Sequence, residues 1–160
     1  MNTVISGQES SFGFKLTEEQ EMIRQMTAEF ADKEIKPFAG EWDIKDHVPM
    51  DVLKKMHDLG LTNVGVPAEY GGQGLDNLTR YTVIDEISQR DAGIGTTIVA
   101  SSLLATDPVM VGANDEQKKW WFGRMLEGAM CGFCLTEPGA GSDALGMSTK
   151  CTKDGNDWIL

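Results

Sequence analysis

Hydrophobic positions recur at helical spacing through most of the chain. The first amphipathic run opens at Thr17, whose hydroxyl can cap a helix while Gln20 reaches back in a capping box. Ile23, Met26 and Phe30 then fall on one face, and the run ends before Pro37. Pro49 suits the first turn of a second helix, with Val52, Leu53, Met56 and Leu59 as its apolar side and Gly60 as its stop. The stretch GVPAEYGGQG, residues 65–74, is dense in turn residues and reads as loop. Leu78, Tyr81, Ile84 and Ile87 restore the helical period up to Gly93, and the uncharged stretch from Thr96 to Leu104 predicts a helix buried on most sides. Asp107-Pro108 predicts a cap with proline at the first helical position. Asn114 with Gln117 predicts another start, for a helix that carries Trp120, Trp121 and Met125 and stops at Gly128.

Near residue 130 the period changes. Residues 130–135 alternate large and small, and residues 147–153 and 158–160 flank Asp154-Gly155, a strong hairpin signal. The pattern therefore predicts a mainly α chain: a bundle-like helical domain over residues 1–129, then the first strands of a β domain over 130–160. Two or three strands cannot close a sheet on its own core, so the expectation is the N-terminal part of a longer protein.

Composition narrows the partners. The 160 residues, 41% of them hydrophobic, suffice for a real core. The net charge of −11 is spread along the chain without a basic cluster, which speaks against nucleic acid. No run approaches the ~18 consecutive apolar residues of a membrane span, and the opening MNTVISGQESSFG lacks the basic and apolar regions of a signal peptide. A cytoplasmic location without a membrane span is expected. The odd count of three cysteines predicts free thiols. Cys131 and Cys134, three apart in a strand-like run, would point to opposite faces and not converge on a metal. His47 and His57 have no partner at a meaningful spacing.

The most specialised stretch is CLTEPGAGSD, residues 134–143. Gly139 and Gly141 let a backbone approach a ligand closely or take positive φ, while the Thr136 and Ser142 hydroxyls and nearby amides can bond a polar edge or a phosphate. It is neither a Walker loop nor a dinucleotide fingerprint. On residue chemistry alone, a plain turn with a Gly-Ser-Asp tip and a nucleotide-type cofactor site both stand open.

This loop, followed by Thr149-Lys150, resembles the signature of the acyl-CoA dehydrogenase family. The resemblance extends in order through Thr17-Glu18-Glu19-Gln20, the segment VPAEYGGQG at residues 66–74 and Asp85-Glu86-Ile87, and it covers the chain from about Phe14. It implies an N-terminal helical domain, a middle β-barrel domain and a C-terminal four-helix bundle that this chain lacks. It also implies FAD-dependent α,β-dehydrogenation of an acyl-CoA. In that reaction a carboxylate abstracts the α proton, the β hydrogen leaves as hydride to flavin N5, and hydrogen bonds to the thioester carbonyl stabilise the enolate-like charge. An electron-transfer flavoprotein as acceptor and a homotetrameric assembly follow from the same likeness.

By the same likeness Phe133, Leu135 and Thr136 lie along the flavin, with Thr136 bonding its pyrimidine edge. Gly141 and Ser142 lie near the pyrophosphate, and Ser142 also near the acyl-CoA. Thr97, Ala100 and Ser101 fall on the helix that lines the acyl tunnel. The family's base comes from the C-terminal domain, so Glu137 is expected to order the loop and no catalytic residue is assigned here. Strand packing for Phe133 and Leu135 remains the competing reading. Two further readings stand beside the enzyme: a helical interaction module that keeps the family shape without its chemistry, and a thiol-redox protein using Cys131 and Cys134.

Overall fold

A computed structural model describes residues 15–160. The expectation about a signal segment therefore lies outside the described residues. Helix α1 (Glu18–Glu34) starts as expected: Gln20 N donates to Thr17 Oγ1 (3.1 Å), and Thr17 N donates to the Gln20 side chain (3.0 Å). Its buried face differs from the apolar pattern. Gln20, Thr27 and Ala31 are buried, Ile23 and Phe30 pack beside them, and Met26 is exposed.

The reason is a polar seam between α1 and α4 (Asn77–Ser88). Gln20 Nε2 donates to the Asp76 carboxylate (3.1 Å) and to Thr79 Oγ1 (3.3 Å). Further along, the buried Glu86 accepts from Arg24 (2.8 Å) and Arg90 (2.6 Å), which also bind Glu21 and Asp32. On α4, Thr79, Arg80, Val83, Glu86 and Ile87 are buried, while Leu78 and Tyr81 face out. Hydrogen bonds to charged groups contribute about 1.5–3 kcal/mol. Glu86→Gln, which keeps shape and removes charge, is expected to lower unfolding free energy by about that amount, read as a fall in the urea midpoint.

The outer members of the seam resist acid. Hydrogen bonding to Arg24 brings the Glu21 carboxyl down to about 2, and bonding to Arg90 brings Asp32 down to about 2. Both folded-state values are depressed, so this stabilisation is complete above the ordinary carboxylate range and is lost as pH falls toward 2.

Between these helices lie α2 (Ala39–Ile44) and α3 (Met50–Asp58). Helix α2 is too short to show a period in sequence, and Phe38 and Trp42 pair across its start at 5.8 Å. Pro49 occupies the cap position of α3, one residue before the first turn. The continuous run expected from Leu78 to Gly93 is two helices. Asp91 Oδ1 accepts from Ile94 N (2.8 Å), and this cap starts α5 (Ala92–Val99) anew.

Helix α5 continues as a π-helical turn (Ala100–Leu104) into α6 (Asp107–Gly112). Asp107 is the first residue of α6 and Pro108 the second, with Thr106 at the cap. The expected burial on most sides holds for one face only. Ile94, Ile98, Ser101, Ser102 and Leu103 are buried, and Thr96 and Leu104 are exposed. The helical run Ala92–Gly112 is, by length and composition, apolar enough to cross a membrane, contrary to expectation. Here Ile94 and Ile98 pack in the main core, as the core helix of a globular domain does.

Helix α7 (Asp115–Leu126) starts at Asn114 as expected, through a capping box between Asn114 and Gln117. Its Phe122 stacks on Tyr70 (5.0 Å) in a second core with Val66 and Met125. The main core gathers Ala31, Ile35, Leu53, Met56, Val83, Ile87 and their neighbours from α1, α3, α4 and α5.

The glycine-rich loop at residues 65–74 is demanded by the fold itself. Gly71 and Gly74 have φ of +90° and +63°, which side chains rarely adopt. A Cβ on Gly72 would lie 2.1 Å from the Val66 carbonyl oxygen.

The hairpin is present as β1 (Thr152–Asp154) and β2 (Asp157–Ile159), antiparallel with Lys153 opposite Trp158. Its loop is Gly155-Asn156, with Gly155 at φ +59°, as a turn of the mirror-image type requires. The strand expected over residues 130–135 does not form, and of residues 147–153 only the last two are paired. A strand exists through its ladder, and among the described residues nothing lies alongside these segments to pair with.

Candidate functional site

The chain leaves the helical domain at a defined point. Cys131 N donates to Ser101 Oγ (3.0 Å) at the π-helical turn, and Thr106 Oγ1 donates to the Ser101 carbonyl (2.8 Å). Ser101 is 1% exposed, so its hydroxyl is engaged inside the chain rather than facing open space. Thr97 is half-buried and donates to the Gly93 carbonyl (3.0 Å); it lines a cleft of about 500 Å³ with Trp42, His47, Pro49 and Ile94. Ala100 is half-buried beside it. The three residues expected on one tunnel wall thus have different surroundings.

From Cys131 the chain runs outward. Phe133 and Leu135 are each 41% exposed, and Thr136 is exposed next to them. The packing partners that would explain two large apolar side chains here are absent among the described residues. Beyond Thr136, Glu137 and Ala140 exchange backbone hydrogen bonds (3.1 Å each), closing Pro138-Gly139 into a tight turn. Ala140 is buried, while Gly139, Gly141 and Ser142 are exposed.

Glu137 behaves as a loop-ordering group. One carboxylate oxygen accepts from Ser148 N (2.6 Å) and Ser148 Oγ (2.9 Å), and the other accepts from Thr149 N (2.9 Å) and the Thr149 hydroxyl. These bonds, led by that from Thr149, hold its carboxyl down to about 2. Such a group does not take a proton near neutral pH. Ser148 was not singled out in the sequence; its only signal is its place beside the Thr149-Lys150 pair.

The glycines of this loop differ from those at 71, 72 and 74. Neither Gly139 nor Gly141 has a positive φ, so the expected conformational reason does not apply. A Cβ on Gly141 would meet nothing within 4 Å, and one on Gly139 only a Glu137 oxygen at 3.9 Å. The chain's own packing does not require glycine there. The backbone there is open to approach by a bound group, and the Thr136 and Ser142 hydroxyls, which take no partner among the described residues, have chemistry that fits the polar edges and phosphates of a flavin dinucleotide.

The thiols are free. Cys131 is half-buried and burial pushes its thiol up, while Cys134 and Cys151 are exposed. No group of three or more His, Cys, Asp or Glu among the described residues is placed to hold a metal.

The described residues thus form a helical domain that hands over, after α7, to an exposed, glycine-bearing loop and a short hairpin. The family model for the acyl-CoA dehydrogenase N-terminal domain matches residues 17–129, and the chain belongs to that family. It is 34% identical over 159 residues to the probable medium-chain specific acyl-CoA dehydrogenase 2, mitochondrial, of Caenorhabditis briggsae, covering 99% of this chain and 39% of that protein. It is similar to a chain in the solved structure of the electron transferring flavoprotein of Acidaminococcus fermentans. That match has TM-score 0.84 and 38% identity over 92% of this chain and 39% of the other. It also matches acyl-CoA dehydrogenase complexed with FAD from Bacillus anthracis, with TM-score 0.77 and 32% identity over 86% of this chain and 24% of that one. The chain thus spans about two fifths of the length of the first of these relatives.

Proposed function

We propose that this chain is the N-terminal part of an FAD-dependent acyl-CoA dehydrogenase and contributes one wall of its flavin site. The observation that carries this reading is the match to the family's N-terminal domain, directly followed by an exposed loop in which the Thr136 and Ser142 hydroxyls take no partner among the described residues. FAD, when bound, supplies the two-electron oxidant for forming a double bond between the α and β carbons of an acyl-CoA. Thr136 would donate to or accept from the polar edge of the flavin ring, Phe133 and Leu135 would cover its apolar face, and the backbone at Gly141 and Ser142 would approach the phosphates. Ser142 would also lie near the acyl-CoA, and Thr97 and Ala100 beside its acyl chain.

By the family likeness the proton-abstracting carboxylate lies elsewhere in the complete protein, and Glu137, whose oxygens already accept four hydrogen bonds, is not it. An electron-transfer flavoprotein as acceptor and a homotetrameric assembly belong to the same proposal. The similarity to a chain in an electron transferring flavoprotein structure supports the partner.

Visible flavin absorption in the purified complete protein tests the reading. No absorption after incubation with FAD would favour a non-catalytic helical module. Thr136→Val keeps the shape and removes the hydroxyl. Because an unmet polar group typically costs about 1–3 kcal/mol, the FAD dissociation constant should rise about tenfold. Wild-type affinity in that variant would remove Thr136 from the site.

A further inference from the structure

We propose that Glu137 is the positioning residue of the cofactor loop: its carboxylate closes the neck of a loop over residues 137–149, and this closure presents Thr136 and the backbone of residues 139–142 to the cofactor. The proposal rests on the flavin reading of the site and extends the loop ordering described above to the presentation of the cofactor-facing groups.

The geometry is that of a clasp. A carboxylate offers about four lone-pair directions. Here each oxygen takes one backbone N–H and one hydroxyl, from Ser148 on one side and Thr149 on the other. The main chain of Glu137 is tied at the same point to Ala140, and within the loop Gly146 N donates to the Asp143 carbonyl (3.0 Å). One residue therefore links the entry of the loop, its first turn and its exit.

Neither close substitute reproduces the clasp. A glutamine offers one acceptor oxygen and turns an NH2 donor toward two other donors, and an aspartate is one methylene too short to keep both contacts. Charge-assisted bonds are roughly twice as strong as neutral ones, which lets an exposed loop hold a shape that its small apolar content cannot. A loop ordered before binding loses less freedom when the ligand arrives. Thr136 adjoins the clasp directly, so any loosening moves the hydroxyl proposed to meet the flavin ring. The carboxyl stays ionised down to about 2, and the clasp therefore stays shut across the physiological range and opens only as pH falls toward that value.

The test compares wild-type complete protein with Glu137→Gln and Thr149→Val, using amide hydrogen exchange at residues 148 and 149, FAD titration and the midpoint potential of the bound flavin. In Glu137→Gln both amides should lose protection and the FAD dissociation constant should rise about tenfold or more. The potential of the residual bound flavin should shift while the thermal midpoint of the helical domain stays in place. Thr149→Val, which keeps both amide bonds, should move each quantity the same way by less. Glu137→Gln protein that binds FAD with wild-type affinity and potential overturns the proposal alone. So does a variant in which flavin loss comes only with melting of the helical domain. Wild-type protein that takes up no FAD overturns the flavin reading and this role together.

Discussion

Gly141→Val is expected to raise the FAD dissociation constant at least a hundredfold and to leave the thermal unfolding of the protein unchanged. The two halves of that expectation come from one observation. Position 141 has no left-handed φ, and a Cβ there meets nothing within 4 Å, so the apo chain accepts a side chain without strain. A branched side chain fills the space that a phosphate and its bridging backbone bonds would occupy. Losing two hydrogen bonds to a charged group, at about 1.5 kcal/mol or more each, gives about two powers of ten in affinity. Ser142→Ala should be mild if the backbone amide of residue 142 makes the contact. Flavin titration beside a circular-dichroism melt checks both halves. A variant that unfolds would show that the loop glycine is structural after all, and one that binds FAD normally would place the phosphates elsewhere.

Gly72→Ala should do the opposite, removing about 3 kcal/mol of stability through overpacking without touching the loop at 137–149. Its Cβ would lie 2.1 Å from the Val66 carbonyl oxygen and 2.5 Å from the Val66 Cβ, so backbone as well as side chain must move. That movement breaks the bonds from Gly72 N to the Pro67 carbonyl (3.1 Å) and from Gly74 N to the Val66 carbonyl (2.8 Å). Val66 is 1% exposed in the core that holds Phe122, so the displacement has no free volume to enter. Chemical denaturation measures it; a variant within about 0.5 kcal/mol of wild type would mean the loop relaxes cheaply. Two glycine-rich stretches that look alike in sequence thus answer to different demands, one to the fold and one to the proposed ligand.

The failures of the periodic reading share a cause. On α1 and α4 the apolar spacing predicts the inner face, and Met26, Leu78 and Tyr81 point outward instead. Beside the apolar contacts of Ala31, Val83 and Ile87, these helices meet through Gln20, Asp76, Thr79, Arg24 and Glu86, with Arg90 just beyond α4, which satisfy one another. Hydrophobic period finds greasy interfaces and passes over a polar one, because the partners that make burial tolerable are more than fifty residues apart.

What the amino-acid order determined by itself is what closes within three or four residues. The capping box at Thr17, the helix start at Asn114 and the hairpin involve donors and acceptors the local chain already holds, and they appear where the pattern puts them, the hairpin with its two-residue loop one position on from Asp154-Gly155. The family, too, is carried by short motifs read in order. Only the tertiary structure decided the rest. Residues 130–135 alternate like a strand and are none, because a ladder needs a neighbour. Ser101, small and polar on an apolar helix, is committed by the arrival of Cys131 thirty residues later. Glu137 is expected to order its loop, but the partners through which it does so, Ser148 and Thr149, lie eleven and twelve residues on. Each of these depends on a partner distant in the chain, and proximity of that kind exists only once the chain has packed.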